Sequence, residues 1–576
     1  MLVVTLLLAL GVRGLALLEL GGGALLHLHE WQESDMSFFH EWGKELADGD
    51  WLIERPLHPH HGWHAEDAAE HFAAHPDELA RLSDEASREG LGRTPAELLW
   101  DRWYGGNRFH QEPLYPYLVG LTYAVFGPEP RAVFAWQIAL ALGSLLLVRR
   151  LAGELFGEAA AGIAGLLFAL NAPLAVYDFV LLRATPLTFV SLALAWLATR
   201  ALRRETARDW LVTGLVAGLA LMLKMTFALF GAGLGLWLLW TRRARLGSAL
   251  RPLGFLAAGT LIALLPAIAR NVVVGAPATS LSSVGAVGIL SANAEDTSDR
   301  PQLSLGSEHL PRIFAETDRG MLTTYVAALK THDSLASYAA RMTRRFLFVW
   351  HGFEIPNNVS VDHFRSHAWS LRLLPISFVL LAPLSLVGLW MARRRPQAAA
   401  LAWMALANVP SLVAFGILSR YRTPMMAALI PFAALALVQL IEQARARRFV
   451  ALALPALLVA TSVAADLAHP PRVSRIRLSD HVVPLQVFYQ PRIAEAENDP
   501  ARAAQWVGRA LRHVPSEIRG LDASHRATTE RERTLAGVFS QVYAAHGRFL
   551  QQAGRHDEAA RAIRRAEALA AAANAP

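Results

Sequence analysis

The chain has 576 residues, of which 53% are hydrophobic and only 18% charged, whereas a soluble domain carries about a quarter. The apolar excess is gathered in blocks of about 18–22 residues, the length that crosses a bilayer. The formal net charge of +7 reflects arginines placed at block ends, which points to membrane topology rather than nucleic acid, and the absence of cysteine excludes disulfides, thiolate metal sites and cysteine nucleophiles.

The first apolar block, 2–27, carries Arg13 and Glu19. It reads as an anchor helix, with a signal peptide as the alternative, although a small-residue cleavage site is not clear. In the segment 28–130 that follows, Met36, Phe39, Trp42, Gly43 and Leu46 recur at helical spacing, which predicts a short amphipathic helix on the membrane surface. Residues 58–75 contain His58, His60, His61, His64, His71 and His75. Histidine is a common zinc ligand, but no pair sits on a convincing framework, so a polar, solvent-exposed loop without metal is the favoured reading. No metal ligands are assigned.

Further apolar blocks run over roughly 131–148, 159–177, 182–199, 210–224, 226–240, 253–269, 373–391, 398–418, 424–440 and 449–466. The expected fold is mainly α: a polytopic membrane protein with about eleven transmembrane helices, outside-facing loops and a C-terminal tetratricopeptide-like segment. The 210–240 stretch is split near Lys224, because only two short spans keep Arg208 and Arg242 on one side.

Short connections carry Arg149 and Arg150; Arg200, Arg203, Arg204 and Arg208; Arg242, Arg243, Arg245 and Arg251; Arg393, Arg394 and Arg395; and Arg445, Arg447 and Arg448. By the positive-inside rule these are cytoplasmic. The N-terminus then lies inside, while 28–130, 270–370 and 467–576 lie outside. The domain reading is a membrane domain over 1–466 and an outside helical tail over 467–576. In that tail, Gly547, Leu550, Gly554, Glu558, Ala559, Ile563 and Ala566 follow tetratricopeptide spacing, and Ala503, Ala510 and Pro515 suit an earlier half-repeat. Such helices would dock on the membrane domain or on a protein partner. A plain helical hairpin is the equal alternative.

Asp35 follows the first span almost directly, with Glu33 two residues before it. A carboxylate at the outer boundary can accept a proton from a hydroxyl, or can be ordinary interfacial charge. Lys224, Arg270, Arg420 and Arg422, with Tyr421 between the last two, and Arg183 close to Asp178 also fall at this boundary. Arginines at helix ends snorkel to headgroups. Several on the outer face could instead hold a lipid carrier's phosphate through charge-assisted hydrogen bonds.

Four segments, in order, resemble the GT-C glycosyltransferases, in the branch of protein O-mannosyltransferases and the aminoarabinose transferase. They are SDMSFFHEWGKELADGDW (34–51), QEPLYPYLVGLTYAVFG (111–127), ARNVVVGAPATSLSSVGAVGILSAN (269–293) and SRYRTPMMAALIPFAAL (419–435), and the likeness spans roughly residues 1–440. The resemblance implies that Asp35 is the catalytic base and that Lys224, Arg270, Arg420 and Arg422 bind the donor phosphate, with Glu33, Asp178, Arg183 and Tyr421 as secondary candidates. Met36 stands where many members have Glu, and Thr185 where Glu is frequent. HGFEIPNN (351–358) resembles a segment of some bacterial members without an assigned role.

The implied reaction transfers a sugar from a polyprenyl-phosphate carrier to an acceptor hydroxyl on the non-cytoplasmic face, with inversion. It requires no cofactor and leaves a zinc or magnesium requirement open. The acceptor is a protein, lipid or glycan, and no nucleic acid is involved. The implied setting is a bacterial inner membrane with the C-terminus periplasmic. An oligosaccharyltransferase or glycan ligase is the alternative in related chemistry. A transporter should show paired repeats and broken mid-membrane helices, and a non-catalytic scaffold would depend on the helical tail.

Overall fold

The computed structural model describes the chain except for residues 22–23, 31–33, 55–57, 60–61, 91, 297–308, 469–498, 512–513, 515, 523, 529 and 574–576. Among the described residues there is no strand, and the apolar blocks are largely helical, except that 159–177 breaks after Ala169 into Glu158–Ala169, Ala172–Val176 and a 3-10 turn at Tyr177–Phe179. Among the described residues six helices are long and apolar enough to cross a membrane: Leu2–Leu20, Pro130–Phe156, Ala184–Arg204, Arg243–Val273, Pro396–Phe415 and Ser419–Arg445. The protein is thus a mainly α, multi-pass membrane protein, since a helix satisfies its own backbone polar groups in hydrocarbon. The first block is shorter than its apolar run. Its helix ends at Leu20, and 3-10 turns at Ala24–Leu26 and Leu28–Glu30 follow. The 210–240 stretch breaks at Lys224, whose extended backbone separates the helices Ala207–Leu223 and Phe227–Thr241.

Both charges in the first helix are paired. Arg13 Nε donates to Asp178 Oδ2 at 2.6 Å, with neither side chain exposed. Glu19 accepts from the backbone N–H and hydroxyl of Ser370, at 3.0 and 2.7 Å.

Contacts divide the chain into two compact units. One comprises Met1–Arg13, Phe38–Phe353 and Leu374–His469, and the other Gly14–Ser37, Glu354–Leu373 and Pro470–Pro576. In the first, the helices Ala207–Leu223 and Leu246–Val273 touch backbone to backbone. A Cβ on Gly214 would lie 2.1 Å from the Leu256 carbonyl oxygen, and one on Gly259 would lie 2.2 Å from that of Leu211. Thr260 Oγ1 donates across the gap to the Gly214 carbonyl at 3.1 Å. Lipid offers no hydrophobic drive for helix pairing, so close approach through small residues supplies the packing.

The helix Asp35–Ala47 forms where expected, but its apolar stripe does not lie on lipid. Phe39 meets Tyr115 edge-on at 5.0 Å and Trp42 packs 5.9 Å from Phe109. Gly43 faces Val119 and Tyr123, and Leu46 presses on Gly120. The partner is the helix Leu114–Phe126, so the amphipathic pattern records a protein interface.

The two long segments 28–130 and 270–370 share an apolar core built from Phe72, Leu98, Trp100 and Trp103 of the first and Leu290, Ile313 and Phe314 of the second. Three histidines belong to this folded region and are not an exposed loop. His58 Nδ1 lies 2.8 Å from Asp101 Oδ1, His64 Nε2 lies 3.0 Å from the Tyr104 hydroxyl, and His71 Nε2 lies 2.9 Å from Glu78 Oε2. All three are buried, and each commits a ring nitrogen to a protein partner. His75 stacks on His71 at 4.3 Å, and His60 and His61 lie outside the described residues.

In the second unit, the helices Glu530–Gln552 and His556–Ala573 pair, with Ile563 closing on Gly547 and Gly554 turning the chain at a φ of 75°. Val507, Ile518, Phe539, Phe549 and Leu569 share their core, and Arg565 donates to the Ile518, Arg519 and Leu521 carbonyls.

Gly259→Leu should lower the thermal midpoint in detergent sharply, since overpacking costs about 1–3 kcal/mol or more. Gly254→Leu on the same helix, where nothing lies within 4 Å, should leave it unchanged.

Asp67, on the helix Gly62–Ala74 between the apolar blocks, has its carboxyl pushed up to about 7 by burial, and then by Glu70 and Glu66. The folded state therefore keeps a proton that the unfolded chain releases near its ordinary value of 3.8. Stability should fall as pH rises between those two values. Asp67→Asn should remove that slope and stabilise the protein at pH 8, read by melting curves across pH.

Candidate active site

The Lys224 break puts a cation at one end of the helix Ala207–Leu223, opposite the end that follows the Arg200–Arg204 cluster. Arg183 caps the N-terminus of Ala184–Arg204, and Arg420 lies in the first turn of Ser419–Arg445. By helix direction all three fall at the ends remote from the arginine-rich connections.

Side chains bring them together. Lys224 Nζ lies 3.7 Å from the centre of the Tyr421 ring, and the Arg420 guanidinium lies 5.0 Å from the same centre. Cations are drawn to the negative face of an aromatic ring, so Tyr421 holds two positive groups that would otherwise repel. Arg183 pairs with Glu112 and donates to the Leu223 carbonyl at 3.0 Å. The second Glu112 oxygen accepts the Met225 N–H at 2.8 Å. Glu112, Arg183 and Arg420 are the charged groups whose fields act on Lys224. The site therefore concentrates positive charge around one buried carboxylate, an arrangement suited to holding a phosphate.

Glu112 was not singled out from the sequence, although it lies within the QEPLYPY segment. Its signal was an acidic residue just before Pro113 at a helix start, which spacing alone does not connect to Arg183.

Two other predicted cations are occupied differently. Arg270 donates to the carbonyls of Leu52, Ile53 and Asn107 and to Asn271 Oδ1, and stacks 4.2 Å from Phe109. Arg422 donates to the carbonyls of His351 and Phe353 and stacks 4.7 Å from Phe378. Both side chains are buried loop anchors. Asp178 is also fixed inside the fold, between Arg13 and the Thr185 hydroxyl, which donates at 2.6 Å. There it ties the first helix to Ala184–Arg204.

In the other unit, Asp35 opens the helix Asp35–Ala47, and Ser34 Oγ accepts the Ser37 N–H at 3.1 Å. An acidic residue in the first turn is favoured by the helix dipole. Asn358 Nδ2 donates to Asp35 Oδ2 at 2.7 Å, which fixes the carboxylate's rotation. Asn358 comes from the HGFEIPNN segment and has a positive φ of 56°. Sequence reasoning singled out the segment without seeing this role. Glu33 lies outside the described residues.

Residues 110–269 match the family model described as dolichyl-phosphate-mannose-protein mannosyltransferase. This match, like the four quoted segments, is to the GT-C superfamily. Comparison with curated proteins gives no match. Two solved structures are similar, both oligosaccharyltransferases from Archaeoglobus fulgidus. One is AglB in complex with an inhibitory peptide and a dolichol-phosphate, at 16% identity and a TM-score of 0.30, covering 63% of this chain and 47% of that one. The other is tethered to an acceptor peptide containing the NVT sequon, at 14% identity and a TM-score of 0.34, covering 81% of this chain and 54% of that one. The chain thus spans about half the length of these structures.

Glu112→Ala leaves Arg183 without its carboxylate, and breaking a buried pair costs on the order of 3–5 kcal/mol. The variant should melt markedly lower in detergent. Glu112→Ala with Arg183→Met should recover part of the loss, as a double-mutant cycle would show.

Proposed function

We propose that this protein is a GT-C-type membrane glycosyltransferase that moves a sugar from a polyprenyl-phosphate carrier to an acceptor hydroxyl on the non-cytoplasmic face. The observation that carries this reading is the pairing of Lys224 and Arg420 on the Tyr421 ring, at helix ends remote from the arginine-rich connections. The family match over 110–269 takes in Glu112, Arg183 and Lys224 of this cluster.

The donor's isoprenoid tail lies in the bilayer, and its phosphate rests against Lys224 and Arg420. Arg183, held by Glu112, adds field without being the main ligand. A general base accepts the proton of the acceptor hydroxyl as that oxygen bonds to the anomeric carbon, and Asp35 takes this role from its place in the segment that resembles the family's first outside loop. The bond from that carbon to the phosphate oxygen breaks, and its electron pair leaves with the polyprenyl phosphate. Fixed cations that stabilise the developing negative charge lower the barrier, and one displacement inverts the anomeric configuration. The hydrogen bond from Asn358 keeps the Asp35 carboxylate in a single rotamer. The acceptor is a protein, lipid or glycan hydroxyl. The reading places the protein in a bacterial inner membrane with the N-terminus cytoplasmic and the C-terminus periplasmic.

The test uses purified protein in lipid discs with a panel of labelled polyprenyl-phosphate sugars. One donor should lose its label to an acceptor. Asp35→Asn should cut the rate on the order of 100-fold or more while donor binding persists, the span expected for a general base. Lys224→Met should instead weaken donor binding. A full rate in Asp35→Asn, or no transfer from any donor by the parent, refutes the proposal.

A further inference from the structure

We infer that His27, His29 and Glu30 form a binding site for a divalent transition-metal ion. His27 lies between the two 3-10 turns that follow the first helix, and His29 and Glu30 lie on the second. Each offers one ligand atom, and the three atoms lie within 4.8 Å of one another. Zinc bonds of about 2.0–2.1 Å in tetrahedral geometry place two ligand atoms roughly 3.3 Å apart. His27 Nδ1 and Glu30 Oε1 are 3.3 Å apart, and His29 Nε2 is 3.9 Å from the same oxygen. One ion could be bound once the rings close toward that tetrahedral spacing from separations of at most 4.8 Å.

The turns are held by their apolar neighbours. Leu25, Leu26 and Leu28 are buried, so the alternating histidines have little freedom to swing away, which lowers the entropy cost of collecting ligands. The site is graded in exposure, with His29 9% exposed, His27 26% and Glu30 43%. An ion there would have a dry side against His29 and an open side toward Glu30, where water completes the coordination. Two imidazoles and one carboxylate favour zinc, cobalt or nickel over magnesium or calcium. The ligands must be unprotonated to bind, so affinity should fall in acid.

The experiment uses the full chain with a tag free of histidine, stripped with chelator and titrated with Zn²⁺ against a competing dye, and with Co²⁺ for its visible bands. The parent should bind Zn²⁺ at this site, with affinity falling below about pH 6, and should ignore Mg²⁺, as expected for imidazole ligands. His27→Ala with His29→Ala should lose on the order of 100-fold in Zn²⁺ affinity, and His75→Ala should lose nothing, on the ligand-set argument. If the double variant fails to fold, as judged by gel filtration and circular dichroism, Glu30→Gln at the exposed ligand serves instead. It should weaken Zn²⁺ binding roughly tenfold and shift the Co²⁺ bands, by the same argument. Unchanged Zn²⁺ binding in a folded double variant or in Glu30→Gln, or no binding by the parent, overturns the site and leaves only a histidine–glutamate hydrogen bond.

Discussion

A charged side chain surrounded by apolar helices must carry its own counter-charge, and the Arg13–Asp178 pair at 2.6 Å meets that requirement. Breaking such a pair by removing one partner leaves an uncompensated buried charge. The pair ties the first helix to the turn before Ala184–Arg204, and Thr185 fixes the other oxygen of Asp178. The first helix is therefore fixed to this part of the membrane domain by a pair whose charge is neutralised where it is buried.

The same rule sorts the cations at the helix ends remote from the arginine-rich connections. Arg270 and Arg422 spend their N–H groups on backbone carbonyls, as buried donors must. Lys224 and Arg420 are held by a ring face. A ring face neutralises less charge than a carboxylate, so Lys224 is better suited to meet an incoming anion. From sequence all four looked alike, since each was a basic residue near a helix end.

Long-range features of the membrane domain were legible because bilayer thickness and charge asymmetry write directly into the sequence. The apolar blocks and the break at Lys224 follow from those alone. What stayed hidden was pairing between distant segments. Glu112 reaches Arg183 across 71 positions, and Asn358 reaches Asp35 across 323. The apolar stripe of Asp35–Ala47 showed helical spacing, but spacing does not say whether lipid or protein covers it. The histidines were visible as a cluster in sequence, yet their partners Asp101, Tyr104 and Glu78 are supplied by neighbouring helices.

Asn358 combines two requirements in one side chain. Its backbone lies at a φ of 56°, a region open to glycine and tolerated by asparagine and aspartate. Its amide must also donate to a carboxylate. Glycine would satisfy the first demand and lose the second, glutamine would do the reverse, and aspartate would bring repulsion in place of a donor. Few residue types can occupy this position, so drift there should be far slower than in the loop around it.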